Sequence, residues 1–183
     1  MTRDRFETCW SSGVSPAVML VRQDGRMTFA SEIRIVAADH PTYERDIAQF
    51  LAELRAERRF FGPTASANPK PFPSLIVGLE GRGGFRTAAV ECGRFVGLAR
   101  VDGAGELLIA VSESRRGIGI GTMLGRAATE RAADLHYGRI VLRSTRRSRA
   151  ARRVGEQLGC LVVEHARGRT DLLIPVGRQA QSA

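Results

Sequence analysis

Residues 116–121 of the chain read Arg116-Gly117-Ile118-Gly119-Ile120-Gly121, and helical spacing follows them directly. Alternate glycines let a backbone turn tightly and aim several N–H groups at one point, while the next helix adds the positive end of its dipole. Such a segment suits an anion, above all a pyrophosphate. The string alone is a weak signal, compatible also with a glycine-rich turn that holds nothing. Context excludes two nucleotide patterns: a dinucleotide fold needs GxGxxG after its first parallel strand, and a P-loop needs GxxxxGK[ST]. This loop has no lysine, comes late in the chain and follows a run of hairpins.

Those hairpins belong to the elements that must hold the loop. Residues 32–36 alternate like a strand, and Asp39-His40-Pro41-Thr42 offers capping groups for a helix through Leu54, with Tyr43, Ile47, Phe50, Leu51 and Leu54 on one face. Residues 58–63 end that helix, and 64–73, rich in Pro, Ser and Ala, read as a loop. Residues 87–91, a Cys92-Gly93 turn, 94–101, a turn at 102–105 and 106–111 predict an antiparallel meander. After the glycine loop comes a helix over 122–135 that buries Met123, Leu124, Ala127, Ala128, Ala132 and Leu135. A strand at 140–142, a helix at 147–158 striped by Ala150, Ala151, Val154 and Leu158, and strands at 161–163 and 171–176 complete the pattern. The fold class is α/β: a mixed, mostly antiparallel sheet flanked by helices in three layers. That domain covers 31–177. Residues 1–30 form an extension or a hairpin about Asp24-Gly25 with arms at 18–21 and 27–30, and 178–183 form a tail.

The chain has 183 residues, 43% of them apolar and 26% charged, enough for one domain with its own core. No run nears the ~18 apolar residues of a membrane span, and the acid-bearing N-terminus reads as no secretory signal. Cys9, Cys92 and Cys160 are scattered, which fits reduced thiols in a cytoplasm and argues against a disulfide frame or a metal site. The net charge is +9 and Lys70 is the only lysine, so the excess is arginine, suited to phosphates and carboxylates. Most of these arginines are expected to form a solvated surface. Arg146, Arg149 and Arg153 share one helix face, but no aromatic platform or groove-reading helix accompanies them, which weighs against nucleic acid.

The glycine loop and its surroundings resemble the GNAT acyltransferase superfamily. The family signature, Arg/Gln-x-x-Gly-x-Gly/Ala between the fourth strand and a helix, is matched by Arg116-x-x-Gly119-x-Gly121, and the element order agrees over about 32–176. In the second family segment, Asn-x-x-Ala…Gly-Phe, Ser148 stands at the Asn, Ala151 matches, and Gly159-Cys160 replaces Gly-Phe. Residues 55–63 are similar to the Ser-x-x-Ser-x-x-x-Arg-Phe-Phe segment of bacterial protein-lysine acetyltransferases, without its serines.

The resemblance implies an N-acetyltransferase that passes an acetyl group from acetyl-CoA to a primary amine, of a protein lysine or a small molecule, by direct attack in a ternary complex. It implies Glu106, ten residues before Arg116, as the base for the amine, and the Val111 N–H as the oxyanion donor. The backbone of Ile109, Ala110 and Val111 is expected to hold the pantetheine arm, with a bulge opening a V toward the next strand. Arg116, Gly117, Ile118, Gly119, Ile120, Gly121, Thr122 and Ser148 are expected to meet the rest of the cofactor. No metal is expected. Many members carry a Tyr acid where Gly155 stands, so here the thiolate would take its proton from water. His165 is expected near the acceptor cleft, Tyr137 and His136 to pack or face solvent, and Cys160 to be a buried substitute for Phe. Expected partners are acetyl-CoA and an amine, with no membrane and no nucleic acid; a homodimer is admissible. Two alternatives stay open: a catalytically silent acyl-CoA-binding GNAT fold acting as sensor or scaffold, and an arginine-rich nucleic-acid-binding protein.

Overall fold

The computed structural model describes residues 32–57, 78–80, 83–145, 148–165 and 169–177, with the backbone alone at 22–23, 26–27, 145 and 169. Arg22–Gln23 pairs antiparallel with Arg26–Met27, Arg22 opposite Met27 and Gln23 opposite Arg26. The Asp24-Gly25 turn and the rest of the expected hairpin lie outside the described residues, as do 58–77, 81–82, Arg146 and Arg147, 166–168 and 178–183.

The expected order of elements is present. It runs β1 (Ile33–Ala37), α1 (Glu44–Ala56), β2 (Phe85–Glu91), β3 (Arg94–Val101), β4 (Glu106–Val111), α2 (Ile120–Asp134), β5 (Arg139–Thr145), α3 (Arg149–Gln157), β6 (Leu161–Glu164) and β7 (Arg169–Pro175). The strands form one sheet in the order β1-β2-β3-β4-β5-β7-β6, antiparallel throughout except for β4 with β5. Alternate strand residues feed two cores, because successive side chains leave opposite faces. Ile47, Phe50, Leu51 and Leu54 of α1 pack with Leu79 against Ala88, Leu98 and Ala110; α2 and α3 cover Ala99, Leu107, Ile140 and Leu172 on the other face. Among the described residues no helix is long and apolar enough to cross a membrane.

The His40 ring caps the 3-10 turn at Pro41–Tyr43 that leads into α1, its Nδ1 accepting from the Thr42 N–H at 3.3 Å, whereas Tyr43 at the N-cap of α1 itself makes no side-chain capping bond. Asp39 is used elsewhere: it accepts from the Arg86 N–H at 2.5 Å and pairs with Arg131 of α2. Helix α2 begins two residues before its expected start, and Leu135 is 51% exposed rather than buried. The helix stops at Asp134, and the chain reverses through His136 at φ 61°, which carries Leu135 off the buried stripe. Ala150 is likewise exposed. The stripe of α3 is centred on Ala151, Val154, Gly155 and Leu158, because Gly155 packs so closely that a Cβ there would lie 2.8 Å from Cys160 Sγ and 2.9 Å from Leu172 Cδ1.

The bulge expected on β4 is not there. Strand β4 pairs with β3 without a shift from Leu107 opposite Val101 to Val111 opposite Gly97. The irregularity lies between β2 and β3, where Ala89 faces Gly97 but Val90 faces Phe95, leaving Val96 as the extra residue.

Candidate active site

The V forms without a bulge on β4. The parallel ladder between β4 and β5 holds only Glu106 opposite Val141 and Leu107 opposite Leu142. Beyond that point β4 follows β3 to Val111, while β5 follows β7 over seven consecutive pairs, Arg139 to Thr145. Each strand keeps its own full ladder, and the twist of the sheet then separates them.

Two bonds fix which backbone groups face the opening: Asp102 N–H to Glu106 O at 3.1 Å and Ser112 N–H to Val96 O at 3.0 Å. Residues of an antiparallel strand alternate between bonding their partner and facing away from it. Leu108 and Ala110 therefore spend their backbone groups on β3, and those of Ile109 and Val111 face the V. This corrects the expectation for Ala110, whose N–H and C=O are turned to β3. The side chains of Ile109 and Val111 pack against the α2 core meanwhile, so packing and an exposed backbone edge coexist.

At the wide end of the V lies the glycine loop. Gly119 takes φ 95° as the N-cap of α2, a left-handed conformation that glycine adopts without strain. A 3-10 turn at Glu113–Arg115 leads into it. Thr122 and Met123 N–H groups bond to Gly119 O at 3.0 Å, but among the described residues no acceptor takes the N–H groups of residues 117–121. Open space surrounds the Cβ position of Gly117. The result is a set of unspent donors at a helix start, fit for a phosphate group. Thr122 can offer only its hydroxyl, since its N–H is engaged.

Arg116 does not extend toward that cradle. Its Nε donates to Val111 O at 2.9 Å and its guanidinium pairs with Glu57 at 3.1 Å. The same Glu57 carboxylate accepts from the Glu113 N–H at 3.0 Å, and Arg115 pairs with Glu91 at 2.6 Å. Arg116 thus braces the loop from behind, tying it to the end of α1 and to the tip of β4. Because β4 and β5 run parallel, the loop after β5 opens at the same end of the sheet. Ser148 stands there, its hydroxyl capping α3 by accepting from the Ala151 N–H at 3.3 Å. Arg149, Arg152 and Arg153 are exposed on that helix.

The carboxylate of Glu106 sits at the closed end of the V. A tight turn places it: Asp102 Oδ1 accepts from Ala104 N–H at 2.9 Å and Glu106 N–H at 2.8 Å, and the Tyr137 hydroxyl donates to Asp102 O at 3.2 Å. Tyr137 therefore packs, as expected, edge-on to Phe85, and also fastens this turn. Glu106 pairs with Arg143 of β5 at 3.2 Å. Val111 lies five positions beyond Glu106, about 16 Å along β4, whereas Ile109 lies three positions beyond it, about 10 Å. A base within ~3 Å of the amine and a donor ~3 Å from the oxyanion act across one carbonyl. Of the two N–H groups that face the V, that of Ile109 is the nearer to Glu106 along the strand.

His165, at the end of β6, bonds to Asp171 of β7 at 2.9 Å, and Asp171 is the cross-strand neighbour of Arg143. Cys160 is partly buried under Gly155, and that burial, with the Glu156 carboxylate adding to it, pushes its thiol above the ordinary range. It is no thiolate nucleophile at neutral pH. Sequence reasoning missed Glu57, Asp102 and Arg143. Asp102 was legible as the opening residue of an Asp-Gly-Ala-Gly turn. Arg143 becomes visible only with the β4–β5 register, and Glu57 carries no local signal.

The family model described as the Acetyltransferase (GNAT) family matches residues 41–160. No curated protein matches the sequence. Among solved structures, the chain is similar to an N-acetyltransferase from Staphylococcus aureus Mu50, with 17% identity and a TM-score of 0.57, over 80% of this chain and 100% of that one. It is similar to yncA, a candidate acetyltransferase from Salmonella typhimurium solved with its cofactor acetyl-CoA (17% identity, TM-score 0.55, 81% of this chain and 96% of that one). A third is the ribosomal-protein-S18-alanine N-acetyltransferase of Escherichia coli (15% identity, TM-score 0.54, 82% and 98%).

Proposed function

Since the chain belongs to the GNAT acetyltransferase family, we propose that it transfers an acetyl group from acetyl-CoA to a primary amine by direct attack in a ternary complex. The observation that carries this reading is the V itself. The β4–β5 ladder ends at Leu107, leaving the backbone of Ile109 and the Val111 N–H along an edge that leads to the unspent N–H groups of residues 117–121, while the Val111 carbonyl is taken by Arg116. An extended pantetheine arm matches that edge, and a pyrophosphate matches the loop.

In this reading Gly117 to Gly121 hold the diphosphate through backbone N–H groups, with the Thr122 and Ser148 hydroxyls beside them. Arg116 is a positioning residue rather than a phosphate contact. The cofactor supplies the activated thioester. The amine nitrogen forms the new C–N bond as the C–S bond breaks. Glu106 takes the proton that the amine gives up, directly or through one water, because an amine of pKa about 10.4 is protonated near neutrality and cannot attack in that form. The Val111 N–H, or that of Ile109 nearer to Glu106, stabilises the charge that develops on the carbonyl oxygen. With Gly155 in place of an acid, the thiolate takes its proton from solvent. A thiol of pKa about 8.5 is a good enough leaving group for that.

Thermal melting with and without acetyl-CoA, followed by a thiol-release screen of amines, tests the proposal. Ligand at about 100 Kd should add about 2.7 kcal/mol to the folded state and raise Tm visibly. An unchanged melt at millimolar acetyl-CoA sinks the cofactor assignment. Binding without turnover of any amine makes the protein a silent acyl-CoA binder, and a salt-sensitive response to duplex DNA instead favours nucleic acid.

A further inference from the structure

Glu106 and Arg143 touch at the closed end of the V, with the carboxylate 27% exposed and the guanidinium 54% exposed. The strand register shows what surrounds them. In one row across the sheet Glu106 stands opposite Val141, Val141 opposite Leu173, and Leu173 opposite Leu161. Arg143, Asp171 and Val163 make the neighbouring row, with His165 bonded to Asp171. Side chains two residues apart on a strand share a face, so both rows lie on the face that carries Glu106.

An amine that reaches Glu106 must come in beside a permanent cation. A polyamine or a simple alkylamine brings a like charge to that place, and it takes the Glu106 carboxylate from Arg143, leaving the guanidinium, among the described residues, only its cross-strand neighbour Asp171, which is already bonded to His165. An acceptor that carries its own carboxylate re-pairs both ions. Its amine goes to Glu106, and its carboxylate goes to the guanidinium, whose planar fork suits that geometry. The amine nitrogen and a carboxylate oxygen of an α-amino acid are three bonds apart, close enough for two protein groups already in contact. The row Val141, Leu173, Leu161 next to them offers apolar surface to the rest of such a molecule.

We propose that Arg143 binds the carboxylate of the acceptor, and that the acceptor is an amine with a neighbouring carboxylate, of the apolar α-amino-acid class. This rests on Glu106 being the base of the acetyl transfer proposed above. The test pairs each amino acid with its decarboxylated amine, leucine with 3-methylbutylamine and phenylalanine with phenethylamine, and adds a lysine peptide, reading thiol release from acetyl-CoA. Wild type should favour the amino acid in kcat/KM by about 10-fold, the order expected of a charge-assisted contact to a half-exposed guanidinium. In Arg143→Gln the preference should collapse toward unity, mostly through KM for the amino acid, and Arg143→Lys should restore part of it. Circular dichroism establishes that the variants are folded. Equal use of amine and amino acid by wild type, a preference for the lysine peptide, or an equal loss for both substrates in Arg143→Gln overturns the assignment while leaving the transferase intact. No turnover of any acceptor overturns both.

Discussion

Glu57 and Arg116, 59 residues apart in the chain, meet at 3.1 Å and join the end of α1 to the glycine loop. Both are largely shielded, with side chains 21% and 25% exposed, so the pair is screened less than a surface ion pair. The Glu57 carboxylate also anchors the Glu113 N–H.

Glu57→Ala should therefore weaken acetyl-CoA binding roughly tenfold while leaving kcat at saturating cofactor near wild type. The loss of bonds to a charged group costs about 1–3 kcal/mol, partly in folding and partly in binding. Calorimetry of acetyl-CoA binding against the denaturant midpoint separates the two. A large drop in kcat at saturation with unchanged affinity would contradict a positioning role.

Glu106→Gln keeps the shape of the side chain but cannot accept the amine proton. Turnover should fall by about 10²–10⁴-fold, the usual contribution of a placed base. Acetyl-CoA should still raise the melting temperature as in wild type, because Gly117 to Gly121 and the β4 edge are untouched. Equal rates for the two proteins would reduce Glu106 to a strand-end carboxylate.

The glycines of the loop should separate. At Gly119 the backbone holds φ 95°, so Gly119→Ala forces strain of about 1–2 kcal/mol at the N-cap and should abolish the acetyl-CoA melting shift. Gly121 is helical, and a Cβ there would meet Val154 Cγ2 at 3.4 Å, an ordinary contact. Gly121→Ala should bind nearly as wild type. Equal losses at both positions would mean that side-chain bulk, not backbone conformation, governs the cradle.

Acid sensitivity should include a small term from Glu44. The hydrogen bond from Arg86 at 2.6 Å holds its carboxyl below the usual range, despite some opposing desolvation. A lowered folded pKa means that the contribution is present above the unfolded value and fades as pH falls through the folded one. The side chain is 58% exposed, so solvent screening limits the term to under about 1 kcal/mol. Glu44→Gln should lower the urea midpoint slightly at pH 7 and leave it unchanged near pH 2. A deficit that persists at pH 2 would place the effect in packing instead.

The elements were legible because their signals are local. Period-two runs with Gly turns marked β2 to β4, the spacing of Ile47, Phe50, Leu51 and Leu54 marked α1, and Arg116 to Gly121 marked the loop before its helix. Each depends on neighbours within about one turn or one hairpin. The family model over 41–160 agrees with that reading. What the sequence left open depends on register and on contacts between distant segments. The backbone phase that sets Ala110 apart from Ile109 and Val111 is decided by which residues of β3 lie opposite. The V arises because β4 and β5 each follow a different partner, a competition between ladders that neither strand encodes alone. Arg143 reaches Glu106 only through the two-residue parallel pairing, and Glu57 reaches Arg116 only because α1 packs across the sheet on β3, beside β4. Local sequence determines which segments are strands and helices; the tertiary structure decides which of their polar groups remain unspent, since a hydrogen bond is satisfied or left open only by what stands across from it.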